Sequence, residues 1–388
     1  MGIEREGGWL AAFYFIYFCA LGAFMPYWGP WLHDQGQTPL AIGILTAAVQ
    51  FSKVLAPNLW GWLAHFWGSR PIVMLGTLLT AAGFLALEFS AGNFIAILLI
   101  TLAFSFFWAA TLPLVDATTM DWAQRRSASY GRIRLWGSLG FIALSLGMGV
   151  LISIWGMQAF LPGILLFLVL AWWVSRHLPY VSQVPSSTQA RPRMTPVLRD
   201  LRLWFFLLAG LLEQASHGVY YAFYSIYAEA HGLSSTSVGL LWGFAVLCEV
   251  AFFWWGDRFI RRLGIPLVFT ASFVLTALRW GVIAWWPGLL WIILVQSLHA
   301  ASYAAFHLAA IHWIAERFPG ALRARGMALY ASMVYGLGGG IGALAAGWSW
   351  AQWGGQWTFA AAGLLAFFAS VFLIKGLQAS PALEKKTI

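Results

Sequence analysis

From Trp9 onward, apolar residues run in blocks broken by short polar or glycine-containing joints. About 20 apolar residues in a helix cross ~30 Å of hydrocarbon. Blocks of that length are predicted at 9–32, 40–64, 71–88, 94–118, 131–154, 157–175, 203–228, 236–256, 265–284, 288–313, 322–348 and 356–375. The pattern predicts an all-α membrane protein with twelve transmembrane helices. The first block continues for a full span without a small-residue cleavage site, so it reads as a retained helix and not a signal peptide. Segment 176–201, containing PSSTQARPRMTP, is the longest polar stretch and reads as a flexible cytoplasmic linker. It separates an N-terminal six-helix half, 1–175, from a C-terminal six-helix half, 202–388.

Composition agrees, because a chain that is 61% hydrophobic and 9% charged has too little polar surface to close one soluble core. The net charge of +9 is distributed by topology. Arg70, Arg125, Arg126, Arg176, Arg191, Arg193, Arg199, Arg202, Arg258, Arg261, Arg262, Arg317, Arg323, Arg325, Lys375, Lys385 and Lys386 fall at even-to-odd connections or at the C-terminus. The opposite loops, 33–39, 89–93, 229–235, 285–287 and 349–355, hold no Lys or Arg. Short loops rich in these residues stay cytoplasmic. Both termini are therefore expected inside, in a multi-pass protein of the cell inner membrane, and no nucleic-acid partner is needed to explain the charge. Cys19 and Cys248 lie in apolar runs without metal-ligand spacing, so no disulfide, metal or cofactor is expected.

An internal repeat supports the division. Arg132 and Arg134 recur as Arg323 and Arg325, 191 residues later, each pair opening the fifth helix of a half. HFWGSR at 65–70 similarly precedes DRFIRR at 257–262 by 192 residues, at the second-to-third helix turn. Repeats of this kind, with a site between them near the midplane, are the architecture of secondary transporters.

Specific motifs carry a resemblance. Gly61, His65, Gly68 and Arg70, with Asp257 and Arg258 in the second half, resemble the turn signature of the major facilitator superfamily, although His65 stands where an acid is expected. VLCEV with Glu249, ALRWG with Arg279, and QSLHAASYAAFHLAA with His299 and His307 are similar to the phenylpropionate permease family. YGRIRLWGSLGF at 130–141 is similar to the opening of the fifth helix in the lactose permease family, a more distant relative. The resemblance covers nearly the whole chain. It implies alternating-access transport, gating at Gly61, Asp257 and Arg258, and substrate gripped by Arg134, with Phe141 stacking on it and Asp116 pairing with the arginine. It also implies coupling through Glu249, Arg279 and His299, with Ser302 where the lactose permeases carry an acid.

The residues can also be read on their own physics. A charge inside the bilayer costs at least ~2.5–3.5 kcal/mol, so it must face a cavity or a partner. The interior charges are Lys53, Asp116, Glu213, Glu249 and Arg279. Glu249 and Arg279, of opposite sign on neighbouring spans, suggest an intramembrane pair that is either a lock or a proton switch. Asp116 suits either an anchor for Arg132 or Arg134 or a substrate contact, and Lys53 suits a counter-ion for Asp116 or Glu249. His299, Tyr303 and His307 recur every four residues along one drifting helix face, fit for substrate hydrogen bonding or proton relay. Glu213 and His217 form a second candidate titratable pair, followed by Tyr220, Tyr221, Tyr224 and Tyr227. Most of the 25 tryptophans belong to interfacial belts. Trp108 with Phe104 and Thr111, Tyr17 with Phe24 and Trp28, and Phe141 are candidates for a ring-walled pocket.

The expectation is a proton-coupled symporter for a small organic solute, an aromatic carboxylate by the family resemblance, with a sugar or nucleoside as the alternative. Its partners would be the substrate, protons and the bilayer, and the chain is expected to act as a monomer. A membrane-embedded enzyme is disfavoured because no H-E-x-x-H or acid–base pair occurs at convincing spacing. A channel is disfavoured because no filter segment repeats.

Overall fold

The computed structural model describes residues 2–180, 194–318 and 320–378. Half of the predicted linker, with Arg191 and Arg193, lies outside the described residues, as do Lys385 and Lys386. The described residues form helices without strands. In chain order these are α1 (Gly2–Asp34), α2 (Pro39–Trp67), α3 (Ser69–Leu87), α4 (Phe94–Arg125), α5 (Tyr130–Trp155), α6 (Phe160–Ser175), the short α7 (Thr195–Leu198), α8 (Leu201–Ser216) and α9 (Gly218–Ala230). They continue with α10 (Ser235–Leu263), α11 (Ile265–Trp285), α12 (Leu289–Ser297), α13 (Phe306–Arg317), α14 (Arg323–Tyr330) and α15 (Gly339–Gln378). Two π-helical segments interrupt this series, Ala300–Ala305 between α12 and α13 and Ala331–Gly338 between α14 and α15. Ten helical runs among the described residues are long and apolar enough to cross a membrane.

Local chemistry sets the helix starts. Thr38, Asn93, Ser129 and Ser234 accept the backbone N–H groups of Ala41, Ala96, Arg132 and Ser237, the N-cap bond that oxygen side chains supply. Helix ends repeat along the chain. Gly36 and Gly232, Gly68 and Gly264, and Gly156 and Gly354 all have positive φ, at separations of 196, 196 and 198 residues. Gly68 and Gly264 have nearly the same backbone, φ 82° with ψ 156° and φ 76° with ψ 153°. Side chains rarely adopt that geometry, so each glycine ends one helix and lets the next begin at once.

This corrects the expected repeat register. Asp257 and Arg258, predicted to lie in a turn, are inside α10, and the turn comes at Gly264. The apolar block ends near residue 256, but the helix continues through polar residues beyond it.

Packing separates the two ends of the molecule. One apolar cluster joins α1–α6 to the outer parts of α9–α12 and α15, whereas Leu203, Phe206, Phe269, Phe306, Trp313 and Leu373 belong to a second cluster at the arginine-rich end. The hydrogen bonds that link residues 2–180 to residues 194–378, among those described, all lie at the Lys/Arg-free end. The Tyr27 hydroxyl, which also lies 3.0 Å from the Ser145 carbonyl of its own half, is 2.9 Å from the Ser235 carbonyl, Ser153 Oγ meets Thr236 Oγ1 at 2.9 Å, and Thr236 Oγ1 donates to the Gly149 carbonyl at 3.4 Å. Backbones also meet closely there, since a Cβ on Gly43 would come within 2.7 Å of the Gly347 Cα. Small residues permit such approach between membrane helices, where packing takes the place of the hydrophobic effect.

Candidate functional site

Two polar clusters sit within this packing. In the first, α4 presents Asp116 and α5 presents Arg134, with Nε of the arginine 3.9 Å from Oδ1 of the aspartate. Tyr14 of α1 donates to the same oxygen at 2.5 Å, and Tyr130 donates to it at 3.0 Å. The guanidinium lies over the Phe18 ring, 4.1 Å from its centroid, and 5.4 Å from that of Tyr14. Both charged side chains are 30% exposed. The loose contact and the exposure leave part of the guanidinium fork free.

Arg132 lies elsewhere. It is exposed and lines a separate cavity of about 650 Å³ with Gly7, Trp122, Ser127 and Trp136. Two residues along a helix are offset by about 200°, so the two arginines face different surroundings, and only Arg134 meets Asp116.

The second cluster is the tightest. Glu249 Oε1 is 2.6 Å from His299 Nε2, and His299 Nδ1 is 2.8 Å from Arg279 Nη1. Arg279 is fully buried, with further bonds to Ser302 Oγ at 3.2 Å and Gln296 Oε1 at 2.5 Å. Gln296 in turn donates to the Tyr220 hydroxyl at 3.2 Å. The expected direct Glu249–Arg279 pair is thus corrected, because the imidazole stands between the two charges. A guanidinium only donates, so His299 Nδ1 accepts and the ring proton is on Nε2, which donates to Glu249. Arg134 is within electrostatic reach of Glu249 and Tyr303, so the two clusters share one field.

His299, Tyr303 and His307 stack in succession, their ring centroids 5.7 and 6.1 Å apart. They straddle the π-helical segment Ala300–Ala305, and such bulges are frequent at functional sites. The His307 Nδ1 meets the hydroxyls of Tyr335 at 2.9 Å and Tyr330 at 3.2 Å.

Several expectations change. Glu213 and His217 do not pair through their side chains: His217 Nδ1 meets the Glu213 carbonyl at 3.0 Å, while the Glu213 carboxylate accepts from Thr276 at 2.6 Å. The reason is a break at His217 between α8 and α9, which turns the imidazole onto the backbone. Lys53 meets neither Asp116 nor Glu249, and its Nζ donates to Gln50 Oε1 at 2.5 Å. Asp257 meets His312 at 3.1 Å. Gly61 has open space where a Cβ would stand, so no close packing demands a glycine there. Trp108 and Phe141 are buried, Trp108 against Phe24, Phe84 and Tyr17.

The sequence reading did not single out Tyr14, Gln50, Gln296, Tyr330 or Tyr335. Gln296 carries a signal, since it stands one helical turn before His299 in an apolar block. The tyrosines on other helices carry none, because which rings meet depends on helix packing.

Known proteins share this architecture. The chain is 32% identical over 338 residues, covering 84% of it and 87% of the relative, to the probable 3-phenylpropionic acid transporter of Escherichia coli K12. It is 25% identical over 342 residues, 88% of it and 87% of the relative, to the maltose permease of Geobacillus stearothermophilus. Among solved structures, the nucleoside transporter NupG superposes with a TM-score of 0.84 at 16% identity, over 97% of this chain and 100% of that one. These neighbours are transporters and not enzymes. The model of the MFS_1 like family matches residues 8–361, and the chain belongs to that family of major facilitator superfamily transporters.

Proposed function

We propose that this transporter works by alternating access as a proton-coupled symporter of a small aromatic carboxylate. The observation that carries the reading is the chain Glu249–His299–Arg279 inside the membrane, within electrostatic reach of the partly exposed Arg134. While Arg279 fills Nδ1, His299 holds a single proton and Glu249 is an acceptor. Withdrawal of Arg279 frees Nδ1, and the Glu249–His299 pair can then take up a proton. A switch of this kind needs only a small helix movement, and the π-helical segment beside His299 is a natural place for it.

Twelve crossings in two six-helix halves are supported by the helix ends. The run Arg323–Gly376 has 54 residues. At 1.5 Å per residue it would be about 80 Å long, more than twice ~30 Å of hydrocarbon, and it bends at Gly354. Helices α8 and α9 abut at His217 and together make one crossing. With these, ten runs become twelve, and the positive-φ glycines and the caps Thr38 and Ser234 repeat at 196–198 residues, as two related halves would have them. The division at 1–175, 176–201 and 202–388, the cytoplasmic termini and the inner-membrane location rest on this reading and on the arginine bias. The closure contacts at the Lys/Arg-free end accord with an inward-open state, with Gly61, Asp257 and Arg258 at the opposite gate and the chain acting as a monomer.

The substrate class is supported by the relative described as a probable 3-phenylpropionic acid transporter and by the rings around the polar groups. Arg134, oriented by Asp116, would donate to the solute's polar end, and Tyr303, His307, Trp108 and Phe141 would shape its ring site. Glu213 and His217 would support the coupling group from the end of α8 and its junction with α9. A second reading, a sugar or nucleoside symporter, is favoured by the Asp116–Tyr14–Tyr130 cluster, which suits hydroxyl groups, and by the maltose permease relative. Counterflow in proteoliposomes against phenylpropionate, benzoate, maltose and uridine decides between them. Exchange of the aromatic acids alone supports the first reading, and exchange of maltose or uridine alone replaces it.

A further inference from the structure

Helix α2 carries a cation that the coupling and substrate clusters do not use. Leu55, Leu59, Trp62 and Phe66, at 72%, 45%, 59% and 63% exposure, form its lipid-facing stripe. At about 100° per residue, Lys53 points roughly 150° away from the centre of that stripe, into the protein. It is nonetheless exposed. Thr46, Gln50, Trp60 and Ala64 on the same side of α2 are buried, so a side chain exposed on that side faces an opening toward the interior of the protein.

Its partners are few. The ammonium has three donors, and Gln50 accepts one of them. Gln50 is buried and set against Gly339, which fixes where the ammonium points. Lys53 joins no ion pair among the described residues. None of the interior carboxylates pairs with Lys53: Asp116 meets Arg134, Tyr14 and Tyr130, Glu249 meets His299, and Glu213 meets Thr276 through one oxygen. An uncompensated charge at membrane depth is costly and marks a functional site by default. Its counter-ion must therefore come from outside the chain.

We propose that Lys53, held in place by Gln50, is the counter-cation of the transported carboxylate. This deepens the aromatic-carboxylate reading and rests on it. Arg134 already has an anion of its own, so it serves as a hydrogen-bonding clamp, while Lys53 balances the charge that enters with the solute. The surroundings suit such a ligand. Val54, the next residue, packs so closely on Gly336 that a Cβ there would come within 2.5 Å of its Cγ2. Lys53 thus stands beside the π-helical segment that carries Tyr335, whose hydroxyl meets His307 at 2.9 Å. An aromatic acid can place its carboxylate on Lys53 and its ring along Tyr335, His307 and Tyr303.

The test uses the purified full chain in detergent, with 3-phenylpropionate and its uncharged amide as probes and binding followed by tryptophan fluorescence. Lys53→Gln should weaken phenylpropionate at least tenfold and leave the amide within twofold, and Lys53→Arg should keep phenylpropionate within about threefold. The unliganded unfolding temperature of Lys53→Gln should equal or exceed that of the wild type, because no ion pair is lost. Phenylpropionate binding within twofold of the wild type in Lys53→Gln overturns the proposal alone. Equal loss of both probes, with a lowered unfolding temperature, shows a structural lysine and also overturns it. A wild type that ignores both probes but binds maltose or uridine defeats the substrate reading, and the role of Lys53 with it.

Discussion

His299 donates through Nε2 to Glu249 at 2.6 Å while its other nitrogen is occupied by Arg279. A carboxylate, an imidazole and a guanidinium in one line form a proton site whose filling depends on where the arginine stands. Glu249→Gln preserves the shape of the site and removes the acid. Exchange of substrate across proteoliposomes should continue within about threefold of the wild-type rate, while accumulation driven by an imposed pH gradient should fall at least tenfold. Normal accumulation in a well-folded Glu249→Gln protein would exclude the residue from coupling.

Gln296 holds the arginine from the other side, accepting from Arg279 Nη2 and donating to Tyr220. Replacement by Leu removes an acceptor from a buried charge. Hydrogen bonds to charged groups contribute about 1.5–3 kcal/mol. Gln296→Leu should accordingly lower the unfolding temperature in detergent by several degrees, more than Ser302→Ala, whose bond to Arg279 is longer at 3.2 Å. Equal unfolding temperatures for Gln296→Leu and wild type would show that Arg279 is held without it.

The helices were legible from apolar blocks because block length is fixed by bilayer thickness. Their ends were less so: α10 runs past its apolar block to Gly264, since helix propensity continues where hydrophobicity stops. Polar residues of one helix were legible as a set, and His299, Tyr303 and His307 do stack along one line. Contacts between helices were not. Whether Glu249 meets Arg279 directly or through His299 depends on helix rotation, which a single sequence does not encode locally. The break at His217 and the π-helical segments were hidden for a related reason, as each is a compromise between neighbouring helices.

Topology follows from the arginine distribution. Reporter tags inserted at 183–190 or placed after Ile388, both outside the described residues, should face the cytoplasm, and a tag beside Gln35 should face the opposite side. Protection of the 183–190 tag from a cytoplasmic probe would reverse the orientation and undo the division into halves.

Arg134 stacks on Phe18 and reaches Asp116, whereas Arg132 is exposed on another face. Lysine keeps the charge but lacks the planar fork that can stack and bind in two places at once. Arg134→Lys should weaken substrate binding at least tenfold, and Arg132→Lys should stay within about twofold, both measured in detergent on protein of matched thermal stability. Wild-type affinity in Arg134→Lys would leave that arginine as the structural partner of Asp116.

Closure at the Lys/Arg-free end depends on glycines that let α5 and α10 touch. A Cβ on Gly239 would come within 2.2 Å of the Ser145 carbonyl and 2.5 Å of the Tyr27 hydroxyl, and one on Gly149 would come within 2.5 Å of the Ser235 carbonyl. Backbone cannot yield to such a contact as a flexible side chain can. Gly239→Val should therefore prevent this end from closing and shift the protein toward an outward-open state. In a background with Cys19 and Cys248 replaced by Ala, a Ser145→Cys reporter, buried at 0% exposure, should be labelled slowly by an impermeant maleimide from outside. Adding Gly239→Val should raise that rate at least fivefold while substrate accumulation falls. An unchanged labelling rate with intact accumulation would mean that α5 and α10 part elsewhere, and that the Tyr27 contacts do not form the outer gate.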